Sequence, residues 1–174
     1  MSNETTHYQG RYLTLLERDH WEYATRSNAH AVAVIVAVTP DDDLLLVEQY
    51  RRPVDARVIE LPAGLVGDQG DPNENVLHAA GRELIEETGF EASDIELIMK
   101  CPSSAGMTDE IVSFVRARGL KQVGDGGGDD SEDIEVHRIP LCRVDSWLLQ
   151  QQSRGRLLDP KIYTALHWLS QEAK

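Results

Sequence analysis

Three patterns in this sequence predict an α+β fold, with a mixed β-sheet packed against helices. The first half is a series of short apolar and β-branched runs separated by turn residues, and a single well-capped helix follows it. A second cap signature stands near the C-terminus, so many strands share the chain with two or three helices. At 174 residues the chain fits one domain with one sizeable core, and it shows no internal repeat.

In chain order, "RYLTLLERD" (residues 11–19) and "HWEYATR" (20–26) read as strands. The apolar run from Ala31 to Val38 reads as a buried strand. It is far shorter than the roughly 18 apolar residues that mark a bilayer span. After the turn "PDDD", Leu44 to Val54 is expected to continue as a strand, and Arg57 to Gly64 as a shorter one stopped by Pro62 and Gly64. "LVGDQG" is a loop. Asp71 as N-cap, Pro72 at the first helical position and Glu74 three residues after the cap then open a helix. Val76, Leu77, Ala80, Leu84 and Ile85 form its apolar stripe and Gly89 its stop, which sets a length of about 17 residues. Strands resume over 94–100, 110–118 and 133–140. Between the last two, "GDGGGDDSED" (124–133) is too polar and glycine-rich to bury a core and is expected to be a mobile acidic loop. Asp159 and Pro160 open the last helix, with Ile162, Leu166 and Leu169 as its buried stripe.

Thirty acids against 17 bases give a net charge of −13. Lys and Arg against phosphates drive binding to nucleic acid, so polymeric nucleic acid and anionic membranes are poor partners for this chain. A small anionic ligand fits if a metal or a local arginine cluster offsets the field. The first ten residues lack the basic and apolar regions of a secretory signal, and Cys101 and Cys142 are expected as reduced thiols in a cytoplasmic protein.

The chemistry concentrates in "RELIEETGF", residues 82–90. Helical spacing i, i+3, i+4 puts Glu83, Glu86 and Glu87 on one face, where like charges repel. They also sit in the last turn, where the helix dipole disfavours negative charge, and no lysine stands at a compensating position. A solvated acidic face is the ordinary reading of such a run. A hard divalent cation with oxygen ligands would turn the repulsion into a binding site.

Glu74, Arg82, Glu83, Leu84, Glu86, Glu87, Gly89 and Phe90 stand at the spacing of the Nudix box, G-x5-E-x7-R-E-U-x-E-E-x-G-U with U apolar. The chain resembles that family over every element from Glu74 onward. The leading glycine departs from the pattern: Gly67 lies one residue too far from Glu74 and Gly64 four, as though "LVGDQGDPN" carried a short insertion. The resemblance implies the Nudix fold, a mixed sheet sandwiched between helices. It also implies Mg²⁺-dependent hydrolysis of a nucleoside diphosphate linked to another moiety, with Mn²⁺ as a substitute. On this analogy Glu83 and Glu87 ligate metal directly, Glu86 directly or through water, and the Ala63 carbonyl adds a ligand. Arg82 orients the glutamates, and Glu74 is structural.

"VEQYRRPV", "IELPAG", "SSAGMTDE" and the tail "SEDIEVHRIP…DPKIYTALHWL" resemble the ADP-ribose pyrophosphatase and nucleotide-sugar hydrolase branch. The likeness implies that Arg51 contacts substrate phosphates and Glu60 works near the metal and terminal ribose. Plainer roles are a strand-end surface charge for Arg51 and an ion pair with Arg57 for Glu60. It also implies a base on the acidic loop: Glu132, with Asp130 behind it and Glu110 as a separate candidate. The branch usually reads S-P-G where this chain has Ser104-Ala105-Gly106. That leaves ADP-ribose first among substrates, with a broader range including GDP-mannose close behind and a non-catalytic nucleotide-sensing module third. Residues 1–28 are expected as an N-terminal antiparallel β extension before a domain over 29–174. In the branch this extension contacts a second copy of the chain in a homodimer. Tyr8, Trp21 and Tyr23 there could stack on the base or pack in an interface.

Overall fold

The computed structural model of the chain describes residues 4–128 and 133–172. Three strands, β1 (Glu4–Gln9), β2 (Leu13–Arg18) and β3 (Trp21–Arg26), form an antiparallel sheet at the N-terminus. The body follows with β4 (Ala31–Ala37), β5 (Asp43–Arg51), β6 (Ala56–Glu60) and β7 (Ala63–Val66), and then helix α1 (Val76–Thr88). Next come β8 (Phe90–Glu91), β9 (Asp94–Pro102), β10 (Ile111–Arg118), β11 (Lys121–Gln122) and β12 (Ile134–Pro140). The chain ends with α2 (Val144–Ser153), β13 (Leu157–Leu158) and α3 (Lys161–Glu172). One sheet runs β7-β4-β10-β9 and a second β12-β5-β6-β13; each holds one parallel pair among antiparallel ones, so the sheets are mixed.

β4 shows why the sheet is covered on both faces. Successive side chains of a strand point to opposite sides. Ala33, Ile35 and Ala37 join one core with Ala79, Ala80 and Leu84 of α1, while Val34 and Val36 join another with Leu148 of α2 and Ile162 of α3. All of these residues are fully buried. A strand buried on both faces reads as a continuous apolar run, and the sandwich between helices follows from it.

Several boundaries differ from the expectation. α1 starts at Val76 with Asn75 as its cap, four residues after the start the Asp71 signal implied. Asp71 instead closes a turn around Pro72: its side chain accepts from the Asn73 N–H and its carbonyl from the Glu74 N–H, while Asn75 Oδ1 accepts from the Leu77 N–H at 2.8 Å. Two acceptors competed for one helix start, and the later one won. β5 ends at Arg51, and Arg52–Val54 form a single 3₁₀ turn, because Pro53 has no N–H for a sheet ladder. β7 joins Ala63 and Gly64, expected as the end of the preceding strand, to Leu65 and Val66 of the expected loop, and pairs with β4 from Val34↔Ala63 to Ala31↔Val66. The polar N-terminus forms β1, an exposed strand fastened to β2 by register and by Arg18–Glu4 and His7–Glu17 pairs. α2 carries no capping side chain and buries only Val144 and Leu148, so its sequence gives little helix signal.

Candidate active site

The site forms where the C-terminal half of α1 faces β7. Glu87 is buried and its Oε2 accepts the Ala63 N–H at 2.9 Å. The structure thus ties Ala63 to the glutamate face through its amide. Glu83 lies against Gly64 so closely that a Cβ at residue 64 would fall 2.0 Å from the Glu83 carboxyl carbon. Glycine is required there to make room for an acid.

Burial pushes the Glu83 carboxyl up to about 7; Arg82 beside it pulls the other way and nearby Glu86 adds to the rise. Arg82 donates to Glu83 Oε1 at 2.6 Å and lies within 3.5 Å of both Glu74 and Asp68 and 3.8 Å from Glu86. This one guanidinium therefore spans the acids, as an orienting residue must. Glu74 also accepts the Gly67 N–H at 2.9 Å. Gly67 has a φ of +92°, so the turn-forming glycine is kept one residue early and Asp68 stands where the box has its glycine. The loop is thereby fastened to Glu74 through the Gly67 amide.

A cavity of about 460 Å³ opens over this face. It is lined by Glu83, Glu86, Glu87, Ala63 and Arg82, and from the other sheet by Arg51 and Glu60. Arg51 Nε donates to Glu60 Oε2 at 2.6 Å, and burial raises the Glu60 carboxyl above its ordinary range against the pull of Arg51. Arg57, the plainer partner suggested for Glu60, pairs instead with Glu48 and Asp133. Sequence reasoning missed Arg26 and Lys161, which also line the cavity. Arg26 ends β3 and donates to Glu110 at 2.6 Å; Lys161 opens α3 and pairs with Asp159. Neither stands near the box in sequence, so only the fold brings them there.

Trp21, expected at the substrate, is not among the residues lining this cavity. It is 63% exposed, donates to the Gly106 carbonyl at 3.1 Å, and lines a smaller cleft with Arg18, Tyr23 and Asp109. Tyr23 is buried, with its hydroxyl bonded to Glu4 and Arg18, whereas Tyr8 is exposed. Glu132 and Asp130 lie outside the described residues.

Three carboxylates of unequal burial, all oxygen donors, around a space that Gly64 keeps open match what a hard divalent cation needs. Among the described residues, the set whose three ligand atoms all lie within 4.8 Å of one another is a different one, Glu48, Glu135 and His137. There Glu48 is engaged by Arg57 and Arg156 at 2.7 Å each, so its charge is already answered. Cys101 and Cys142 are both free thiols.

The NUDIX domain profile matches residues 29–161. The methanol dehydrogenase activator of Bacillus methanolicus is 35% identical over 145 residues, 82% of this chain and 74% of that protein. The ADP-ribose pyrophosphatase of Bacillus subtilis is 35% identical over 112 residues, 64% of this chain but only 58% of the relative. The GDP-mannose pyrophosphatase of Salmonella arizonae is 31% identical over 134 residues, 72% of this chain and 65% of the relative. A crystal structure of an ADP compounds hydrolase superposes with a TM-score of 0.72 at 26% identity, covering 98% of this chain and 93% of that one. With the glutamate face, its arginine and the sandwich all in place, the chain belongs to the Nudix family.

Proposed function

We propose that the protein is a Mg²⁺-dependent pyrophosphohydrolase that cleaves ADP-ribose to AMP and ribose 5-phosphate. The observation that carries this reading is the cavity itself, which brings Arg26, Arg51 and Lys161 into one lining with Glu83, Glu86 and Glu87. Its volume falls in the usual range for small-molecule sites. A cation held by Glu83, Glu86, Glu87 and the Ala63 carbonyl would neutralise the pyrophosphate, polarise phosphorus and make a bound water a better nucleophile. The chain's own residues do the rest. Arg82 fixes the Glu83 carboxylate, Arg51 is released from Glu60 toward phosphate, and Glu60 is then free to accept a ribose hydroxyl. Glu132 is the proposed base for the attacking water. Trp21, with its face exposed, is proposed to stack on the base across a homodimer built on residues 1–28.

A broader nucleoside diphosphate sugar specificity is the second reading, supported by Ala105 and by the GDP-mannose pyrophosphatases among the relatives. A regulatory, non-catalytic role is third. The activator relative supports it, but a sensor has no need of the complete Arg82, Glu83, Glu86 and Glu87 set. Purified protein with Mg²⁺ is assayed against ADP-ribose, GDP-mannose, UDP-glucose and NADH, with products separated by chromatography. AMP and ribose 5-phosphate from ADP-ribose alone is the expected result. Comparable turnover of several sugar nucleotides would move the reading to the second, and binding without turnover to the third.

A further inference from the structure

Helix α1 poses a problem that its own glycine cap, Gly89, solves only for the Ile85 carbonyl. The last carbonyls of a helix have no partner within it, and helix ends fray unless something caps them. Here the last turns carry the two glutamates, Glu86 and Glu87, while no basic side chain stands in the last turn. A ligand set on a fraying turn is a poor one, because cation ligands must be held to within a few tenths of an ångström.

The partners come from about forty residues away in sequence. The Gly127 N–H donates to the Glu87 carbonyl at 2.9 Å and the Gly128 N–H to the Glu86 carbonyl at 3.0 Å. Next to them, Val123 and Gly124 donate to the Gly89 carbonyl at 2.8 and 3.1 Å, and Gly89 itself donates to Ile85. The carbonyls from Ile85 to Gly89, Thr88 aside, are thus each met by a donor. The glycines are needed for the approach. A Cβ on Gly126 would stand 2.4 Å from the Thr88 carbonyl carbon and 2.6 Å from the Glu87 oxygen, and one on Gly89 would stand 2.3 Å from the Gly124 oxygen. The glycine half of the segment expected to be a mobile acidic loop is therefore docked, backbone to backbone, on the end of the glutamate helix.

We propose that Gly126, Gly127 and Gly128 are positioning residues for the cation site, clamping the last turn of α1 so that Glu86 and Glu87 hold a fixed geometry. This rests on the proposed reading of the glutamate face as a cation site. The test uses the full chain and Mn²⁺ alone, with free Mn²⁺ followed by electron paramagnetic resonance. Gly126→Ala is compared with Gly155→Ala, which has a similar positive φ of +84° but open space around it. Gly126→Ala is expected to weaken Mn²⁺ binding about tenfold, the scale of losing one or two net hydrogen bonds. With a sugar nucleotide that the wild type hydrolyses, it is also expected to lower kcat more than it changes KM. Gly155→Ala is expected to move neither. Should Gly126→Ala not fold by circular dichroism, Gly127→Ala takes its place, since an added Cβ there meets only the Ile134 oxygen at 3.8 Å and the strain is confined to its φ of +108°.

Wild-type Mn²⁺ affinity in a folded Gly126→Ala or Gly127→Ala protein would overturn the clamp. So would equal weakening by Gly155→Ala, which would mark a general loss of stability. A wild type that binds Mn²⁺ through Glu87 but hydrolyses none of the sugar nucleotides would sink the enzymatic reading alone and leave this comparison decisive. A wild type that binds no Mn²⁺ overturns both.

Discussion

Glu83 shows how much of the site is decided by single side chains. Its carboxyl is buried against Gly64 and pushed up to about 7, from an ordinary value of 4.5. Between those two pH values the native protein holds a proton that the unfolded chain has lost. Without metal, stability therefore falls as pH rises through that window, by on the order of 2–3 kcal/mol in total. Thermal melts of metal-free protein are expected to show this fall, and Glu83→Gln to remove most of it; an unchanged pH profile in Glu83→Gln would assign the effect elsewhere. Excess Mg²⁺ should flatten the wild-type curve, because a cation competes for the same oxygens as the proton. The trio Glu83, Glu86 and Glu87 was legible in the sequence because helical spacing is local information. Arg26 and Lys161 were not, because each reaches the cavity from a different element and has no short-range pattern to mark it.

At the scale of elements, the sequence marked the end of α1 well and its beginning badly. Gly89 adopts a left-handed φ of +74° and caps the helix as expected. Asp71 satisfied every rule for an N-cap, yet it formed a turn of its own, leaving Asn75 to cap. Replacing Asn75 by Ala is expected to cost about 1 kcal/mol of stability, and Asp71→Ala less, since only Asn75 satisfies a donor of the helix. Chemical denaturation of the two variants checks this; a larger loss from Asp71→Ala would restore the earlier start. α2 stayed hidden because it has no capping side chain, and β7 because Pro62 and Gly64 read as the stop of the strand before it. β7 is also the element that brings Ala63 and Gly64 to the glutamates. The strand hardest to see in the sequence thus turned out to be central to the site.

Across the whole molecule, the strand β4, buried on both faces, fixed the sandwich, and that two-sided burial was legible as one uninterrupted apolar run. The N-terminal sheet lies outside the residues that match the family profile and carries exposed Tyr8, Tyr12, Leu13 and Trp21. Large exposed apolar groups on one small sheet fit a protein contact better than solvent. Light scattering at micromolar concentration is expected to give a dimer mass, and removal of residues 1–28 to give a monomer; a monomeric full chain would contradict the proposed role of the extension. Across this molecule, three like charges on α1 are proposed to be kept together because a cation belongs among them. The most direct measurement is hydrolysis of the preferred sugar nucleotide after metal removal, with Mg²⁺ then added back to wild type and to Glu87→Gln. No turnover is expected without metal, with full recovery in the wild type and a loss of at least about a hundredfold in the variant, the scale of removing an essential charge-stabilising group. Undiminished turnover in Glu87→Gln, or in metal-stripped wild type, would contradict this role for a cation.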